Sequence, residues 1–453
     1  MHMSRRALGS VVIAVLIVVA LLQRQHREIV AKPLISIPAA TYSESEVRDR
    51  DIELYSRRIL EDPSSATDRS VLARLFFTRA RNTGSTADLD HAEKLVRESI
   101  AERTQRNYQS FELLASLLMA RHEFREARLV ALRADSLDPG TPSHLALLGE
   151  IELELGDYDA AAAHFNAIQY DGRNFTTGAR IARWYEVTGR IDRARLFLKK
   201  AIANVDRRDD LPREQAAWFH YRLGDLELRV GNLNAADSAF HAGLARNPDD
   251  VRVLGGLSRA ALARGAWREA IDFGERATQV QLDPATLGTV SLAYAHLGDT
   301  AQAASYARAM SVSALKQPGA IHRAWGLFLL DHGTAKDRAD VLVRARRELR
   351  DRKDVYGHDL MAWALYRNGR IEEARKEMDL ALAQHTQDVM LIEHSHAISS
   401  APHPTSRTST DPFGSVKYQT RSTSTDSTGY TRPPCRRISP TVTSTSTCSA
   451  EPD

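Results

Sequence analysis

A seven-residue pattern recurs through the middle of this chain and limits what it can fold into. Leu-Gly-Asp-Tyr-Asp-Ala-Ala at 155–161 returns as Thr-Gly-Arg-Ile-Asp-Arg-Ala at 188–194, Val-Gly-Asn-Leu-Asn-Ala-Ala at 230–236 and Arg-Gly-Ala-Trp-Arg-Glu-Ala at 264–270. Leu-Gly-Asp-Thr-Ala-Gln-Ala at 297–303 and Asn-Gly-Arg-Ile-Glu-Glu-Ala at 368–374 continue it, and Arg-His-Glu-Phe-Arg-Glu-Ala at 121–127 is a variant without the glycine. The closing alanines are Ala127, Ala161, Ala194, Ala236, Ala270, Ala303 and Ala374, with Ala92 and Ala339 as looser members. Successive spacings are 35, 34, 33, 42, 34, 33, 36 and 35 residues. A period of this length marks a stack of small supersecondary units, each burying its apolar face only against its neighbours. The one long step contains Asn204–Arg213 (NVDRRDDLPR), which reads as a loop insertion.

Within a unit the apolar residues fall at helical offsets on both sides of the glycine. Leu145, Leu148, Gly149 and Leu153 share one face before the turn, and Ala161, Phe165 and Ile168 share one after it. The glycine supplies a left-handed or close-packed turn. The alanine sits where two helices cross, and a bulkier residue there would overpack at a cost of ~1–3 kcal/mol. Pro139 and Pro248 end second helices, because a proline lacks the N–H and its ring clashes with the preceding turn. With 43% hydrophobic but only 7% aromatic residues, the core is expected to be built from Ala, Leu, Ile and Val.

This succession resembles the tetratricopeptide repeat (TPR) family, whose unit of about 34 residues is a helix–turn–helix. The unit from Ala217 carries Leu223-Gly224, Gly231, Ala236, Phe240 and Pro248, and the one before it Tyr185, Gly189, Ala194, Leu198 and Ala201. The resemblance covers roughly residues 63–395. It implies an all-α, right-handed superhelical solenoid of about nine TPR-like helix–turn–helix repeats. Asp51–Pro63 (DIELYSRRILEDP) reads as a lone capping helix, and Arg81–Asp88 as an extra loop in the first unit.

The ends read differently. Arg5 and Arg6 precede an uncharged run, Ala7–Leu22, and Arg24, Arg27 and Lys32 follow it. As a helix at ~1.5 Å per residue this run spans roughly 24 Å, short of a hydrocarbon core of roughly 30 Å that snorkelling arginines could bridge. A signal anchor is the favoured reading of residues 1–32, giving a single-pass membrane protein with the solenoid outside the cytoplasm. A signal peptide cleaved after Ala20 is the alternative, giving a secreted or periplasmic protein. Residues 33–62 then form a linker and the capping helix, and 63–398 the solenoid. From Ser399 onward 24 of 55 residues are Ser or Thr, the composition of a disordered tail. A frame altered near residue 395 is a second reading of this break. Both cysteines, Cys435 and Cys448, lie there, so no disulfide framework supports the folded part.

Lys+Arg 61 against Asp+Glu 58 is close to balance and indicates neither nucleic acid nor an acidic small substrate. No phosphate-binding Gly-rich loop, Gly-x-Ser-x-Gly elbow, His-Glu-x-x-His or Cys-x-x-Cys pattern occurs. Ser313-Ala-Leu-Lys316 matches a short acyl-transfer pattern without its companions and is expected in a loop between repeats. His394 and His396 beside Glu393 are expected to be solvated rather than metal-binding. Arg344–Lys353 (RARRELRDRK) reads as a solvated outer face, with anionic lipid or nucleic acid as the sharper alternative.

No catalytic residues, metal or cofactor are therefore expected. The resemblance implies partner proteins or peptides bound on the concave face, which first helices line. It places Arg180, Arg183, Tyr221, Arg222, Asp225, Arg229, Arg252 and Arg259 there. Arginine forks suit carboxylates, so an acidic segment is the expected occupant. The competing reading pairs these arginines with Glu186 and neighbouring acids. The resulting function is a membrane-tethered scaffold or adaptor, with a soluble binder or a non-catalytic regulatory subunit of an envelope enzyme as alternatives.

Overall fold

A computed structural model describes residues 43–402 apart from 171, 173 and 317–321. The N-terminal apolar run and the Ser/Thr-rich tail lie outside the described residues. Among the described residues every regular element is an α-helix, and no helix is long and apolar enough to cross a membrane.

A single helix, α1 (Glu44–Glu61), comes first, starting seven residues before the expected cap. Nine antiparallel pairs follow: α2 (Ala66–Thr83) with α3 (Thr86–Glu102), α4 (Tyr108–Ala120) with α5 (Phe124–Leu137), and α6 (Pro142–Leu155) with α7 (Tyr158–Ala167). Next come α8 (Phe175–Val187) with α9 (Ile191–Val205), α10 (Arg213–Arg229) with α11 (Leu233–Arg246), and α12 (Val251–Ala263) with α13 (Trp267–Val280). The last three are α14 (Pro284–His296) with α15 (Thr300–Ala314), α16 (Arg323–His332) with α17 (Ala335–Glu348), and α18 (Val355–Arg367) with α19 (Ile371–Leu382). Helix α20 (Val389–Ser399) is the last described helix, with Leu391 and Ile398 buried.

The alanine rule is met at seven of the nine positions. Ala92, Ala127, Ala161, Ala194, Ala236, Ala270 and Ala374 are each 0% exposed. Ala303 is half-buried, and Ala339 is exposed, since α17 turns Val341, Leu342 and Ala345 inward instead. In two units a glycine of the first helix makes room for a phenylalanine sixteen residues on. A Cβ at Gly149 would sit 2.6 Å from the ring of Phe165, and one at Gly224 would sit 2.5 Å from the ring of Phe240. The segment expected as a loop over Arg81–Asp88 is almost wholly helical. Gly84 in the left-handed region ends α2, and Ser85 caps α3 by accepting from the Asp88 amide. In the unit lacking the turn glycine, His122 takes the left-handed conformation itself, at φ 63°.

Repeats far apart in sequence also touch. The Val355 amide donates to the Tyr158 hydroxyl at 2.8 Å across 197 residues, Arg48 pairs with Glu214 at 3.0 Å, and Arg352 pairs with Glu154 at 3.0 Å. Backbones meet at two of the turn glycines. A Cβ at Gly156 would lie 2.2 Å from the Lys353 carbonyl oxygen, and one at Gly189 would lie 2.2 Å from that of His385. The solenoid therefore winds tightly enough for a repeat to rest on one five or six units further along.

Gly189, Gly156 and Gly298 share left-handed φ angles (70°, 77° and 83°), but a Cβ at Gly298 meets nothing within 4 Å. Gly298→Ala should cost only the left-handed penalty of roughly 1–2 kcal/mol. Gly189→Ala should cost measurably more, because it also pushes away the His385 backbone. Chemical denaturation of the two variants checks this; equal losses would mean that the turn-to-turn approach is not held in solution.

Candidate partner-binding face

First helices α8, α10 and α12 present the expected basic residues at offsets of three and seven, which keeps them on one stripe. Three rungs join successive repeats. Arg180 Nε donates to Glu150 at 2.8 Å, Arg222 Nη2 donates to Glu186 at 3.0 Å, and Arg259 Nη2 donates to Asp225 at 3.2 Å. Their partners lie 30, 36 and 34 residues back, one repeat in each case.

Within this ladder two carboxylates act as hubs. Glu186, 4% exposed, accepts from Arg183 at 2.9 Å and from Arg222. Asp225, 3% exposed, accepts from Arg222 at 3.1 Å, Arg229 at 3.0 Å and Arg259. Tyr221 completes the group, its hydroxyl 3.5 Å from Arg259 Nη2. Burial pushes both carboxyl groups up, but the arginines outweigh it: Arg183, Arg222 and Arg229 hold Glu186 below its ordinary range, and Arg229, Arg259 and Arg222 hold Asp225 below its own.

The last repeats contribute the far side of this cluster. Tyr356 on α18 lies among three guanidinium groups, with Arg183 at 5.0 Å and Arg229 and Arg323 each at 5.1 Å from the ring centroid. Arg229 also donates to Asp388 at 3.2 Å, and Arg323 donates to the fully buried Asp359 at 2.5 Å. The His394 ring is 2.7 Å from the other Asp359 oxygen and stacks on Trp363 at 4.1 Å. His394 is thus buried in the solenoid core and not a solvated histidine. The acids to which these arginines are drawn are already the protein's own.

A second group lies towards the N-terminal repeats. Arg252 is taken by Asp250 at 2.6 Å and by the Glu214 carbonyl. Near it, Arg81 on α2 stands over the Phe77 ring at 5.7 Å with its side chain exposed, and among the described residues no carboxylate lies within ion-pair distance of it. Although Arg81 is open to water, desolvation by the surrounding protein lowers its affinity for its proton, as do Arg252 and Arg180, and Glu214 and Asp250 partly offset this.

Sequence reasoning missed Tyr356, Asp388, Arg323 and Asp359. Nothing in the repeat period says how many units make one superhelical turn, and that number alone brings α8 against α18. Arg81 was missed because it was assigned to a loop. Ser313 sits in the last turn of α15 with its hydroxyl donating to the Leu282 carbonyl, not in an inter-repeat loop. No cluster of His, Cys, Asp or Glu able to hold a metal occurs among the described residues.

A tetratricopeptide repeat family model matches residues 112–175 and 221–285. Among solved structures the chain is similar to PilW, a widely conserved type IV pilus biogenesis factor (19% identity over 46% of this chain and 94% of that one, TM-score 0.37). It is also similar to PilF of Pseudomonas aeruginosa (17% identity, 49% and 97%, TM-score 0.37) and to human IFIT1, seen as a dimer with PPP-AAAA (15% identity, 76% and 96%, TM-score 0.42). No curated protein matches the chain.

Arg222→Ala leaves two buried carboxylates short of a partner and should cost roughly 3 kcal/mol or more. A carboxylate with a depressed folded pKa stabilises above its unfolded pKa of about 4 and loses that contribution as pH falls toward the folded value. Denaturant midpoints should therefore fall on acidification below about pH 4, and Glu186→Gln with Asp225→Asn should flatten that fall. An unchanged acid profile in the double variant would contradict the network's role.

Proposed function

From the premise that this chain is a tetratricopeptide-repeat protein, we propose that it is a membrane-tethered scaffold that holds an acidic segment of a partner protein in the mouth of its concave face. The observation that carries the reading is Arg81. Among the described residues no carboxylate lies within ion-pair distance of this guanidinium, while Arg180 is paired with Glu150, Arg252 with Asp250, and the arginines deeper in the groove with Glu186 and Asp225. An incoming carboxylate meets a preformed positive field there and needs no internal pair to break. Arg180 and Arg252 keep about a fifth of their side chains exposed, so both can share their bonds with a ligand.

The tether is the apolar run Ala7–Leu22 read from the sequence. A soluble form released after Ala20, or a regulatory subunit of an envelope enzyme, would use the same groove. No part of the reading requires a cofactor or nucleic acid.

The test separates groove from framework. Full-length protein is used to capture partners from membrane extracts, and the captured partner is titrated against variants. Arg81→Glu should weaken binding roughly tenfold or more while leaving the melting temperature nearly unchanged. Retained affinity in this variant would remove the groove mouth as the site. Alkaline extraction of cell membranes tests the tether: a chain that stays in the membrane supports it, and a chain found wholly in the soluble fraction supports the released form.

A further inference from the structure

On the outer wall, second helix α5 meets the end of α17 from six repeats away. Arg125 Nη2 donates to the Arg350 carbonyl at 2.7 Å and lies 3.3 Å from Asp351. An open groove between them is lined by Arg125, Arg346, Leu349, Arg350, Asp351 and Lys353. Asp351 is occupied by Arg125, and no described carboxylate lies within ion-pair distance of Arg346, Arg347 or Lys353. The superhelix has therefore gathered most of the basic run Arg344–Lys353 and the start of α5 into one cationic face.

The same helix faces also expose aliphatic side chains. Leu129, one turn on from Arg125, is 68% exposed, and Leu132 follows one turn later at 43%. Val343, one turn before Arg346 and Arg347, is 59% exposed. Bare aliphatic groups beside cations are what an interfacial lipid contact uses: the cations meet anionic headgroups while the aliphatic groups enter the headgroup–acyl boundary. A single-stranded nucleic acid would want aromatic platforms, and the groove lining has none.

We propose that this face is a peripheral docking surface for an anionic lipid bilayer. Phosphate and carboxylate headgroups lie over Arg346, Arg347, Arg350 and Lys353, and Leu129 and Val343 enter the interface. The inference stands whether or not the N-terminal run is a tether.

The N-terminal run could itself insert into any vesicle, so the readout must be local to the face. An environment-sensitive fluorophore on Leu129→Cys, in full-length protein with Cys435→Ser and Cys448→Ser, is mixed with phosphatidylcholine vesicles with or without phosphatidylserine. A blue shift should occur only with phosphatidylserine and should disappear at high salt. Reversing Arg346, Arg350 and Lys353 to Glu should raise the lipid concentration for half the shift roughly fivefold or more per residue. No shift, an equal shift with neutral vesicles, or an undiminished shift in the triple variant would overturn the proposal. An equal shift with duplex oligonucleotide in place of vesicles would overturn it in favour of nucleic acid.

Discussion

Two buried carboxylates cannot remain charged inside a protein unless cations surround them, and this solenoid is built so that they do. Glu186 and Asp225 lie on neighbouring first helices, and the four arginines that neutralise them come from three consecutive repeats. Arg183 and Arg229 then reach beyond the local stack to Tyr356, and Arg229 to Asp388. The ladder that fixes one repeat against the next thus also fixes one superhelical turn against the next. Loosening one rung would leave an unpaired charge in the interior.

That arrangement divides the face in two. Its centre is a structural element, saturated and screened from an incoming acidic segment by its own acids. Towards the N-terminal repeats, Arg81 has no described carboxylate within ion-pair distance. On the proposed reading, partner recognition and superhelical closure use the same residue type. They differ in whether an acid of the chain is within reach.

Most of the helical framework was legible from one repeated phrase. A glycine turn followed five residues later by an alanine located both helices of a unit, because only a small residue fits the crossing and a left-handed residue reverses the chain with least strain. Where the phrase weakened, the reading slipped. His122 replaces a turn glycine, Ala339 is not the crossing residue of its unit, and Arg81–Asp88 hid a two-residue turn inside two long helices. The ladder itself was readable, since Glu150–Arg180, Glu186–Arg222 and Asp225–Arg259 repeat at the period of the fold. The contacts to Tyr356 and Asp388 were not, because they depend on superhelical pitch. Pitch is the sum of small rotations at every interface and leaves no local mark in the sequence.

Closure between turns is the claim on which this account rests, and one amide reports on it. The Val355 N–H at the start of α18 has its acceptor 197 residues away, in the Tyr158 hydroxyl. Hydrogen exchange at Val355 should be slow in the native protein and should accelerate in Tyr158→Phe, with the amides of α6 and α19 unchanged. Fast exchange at Val355 in the native protein, or exchange indifferent to the loss of that hydroxyl, would contradict a superhelix closed on itself.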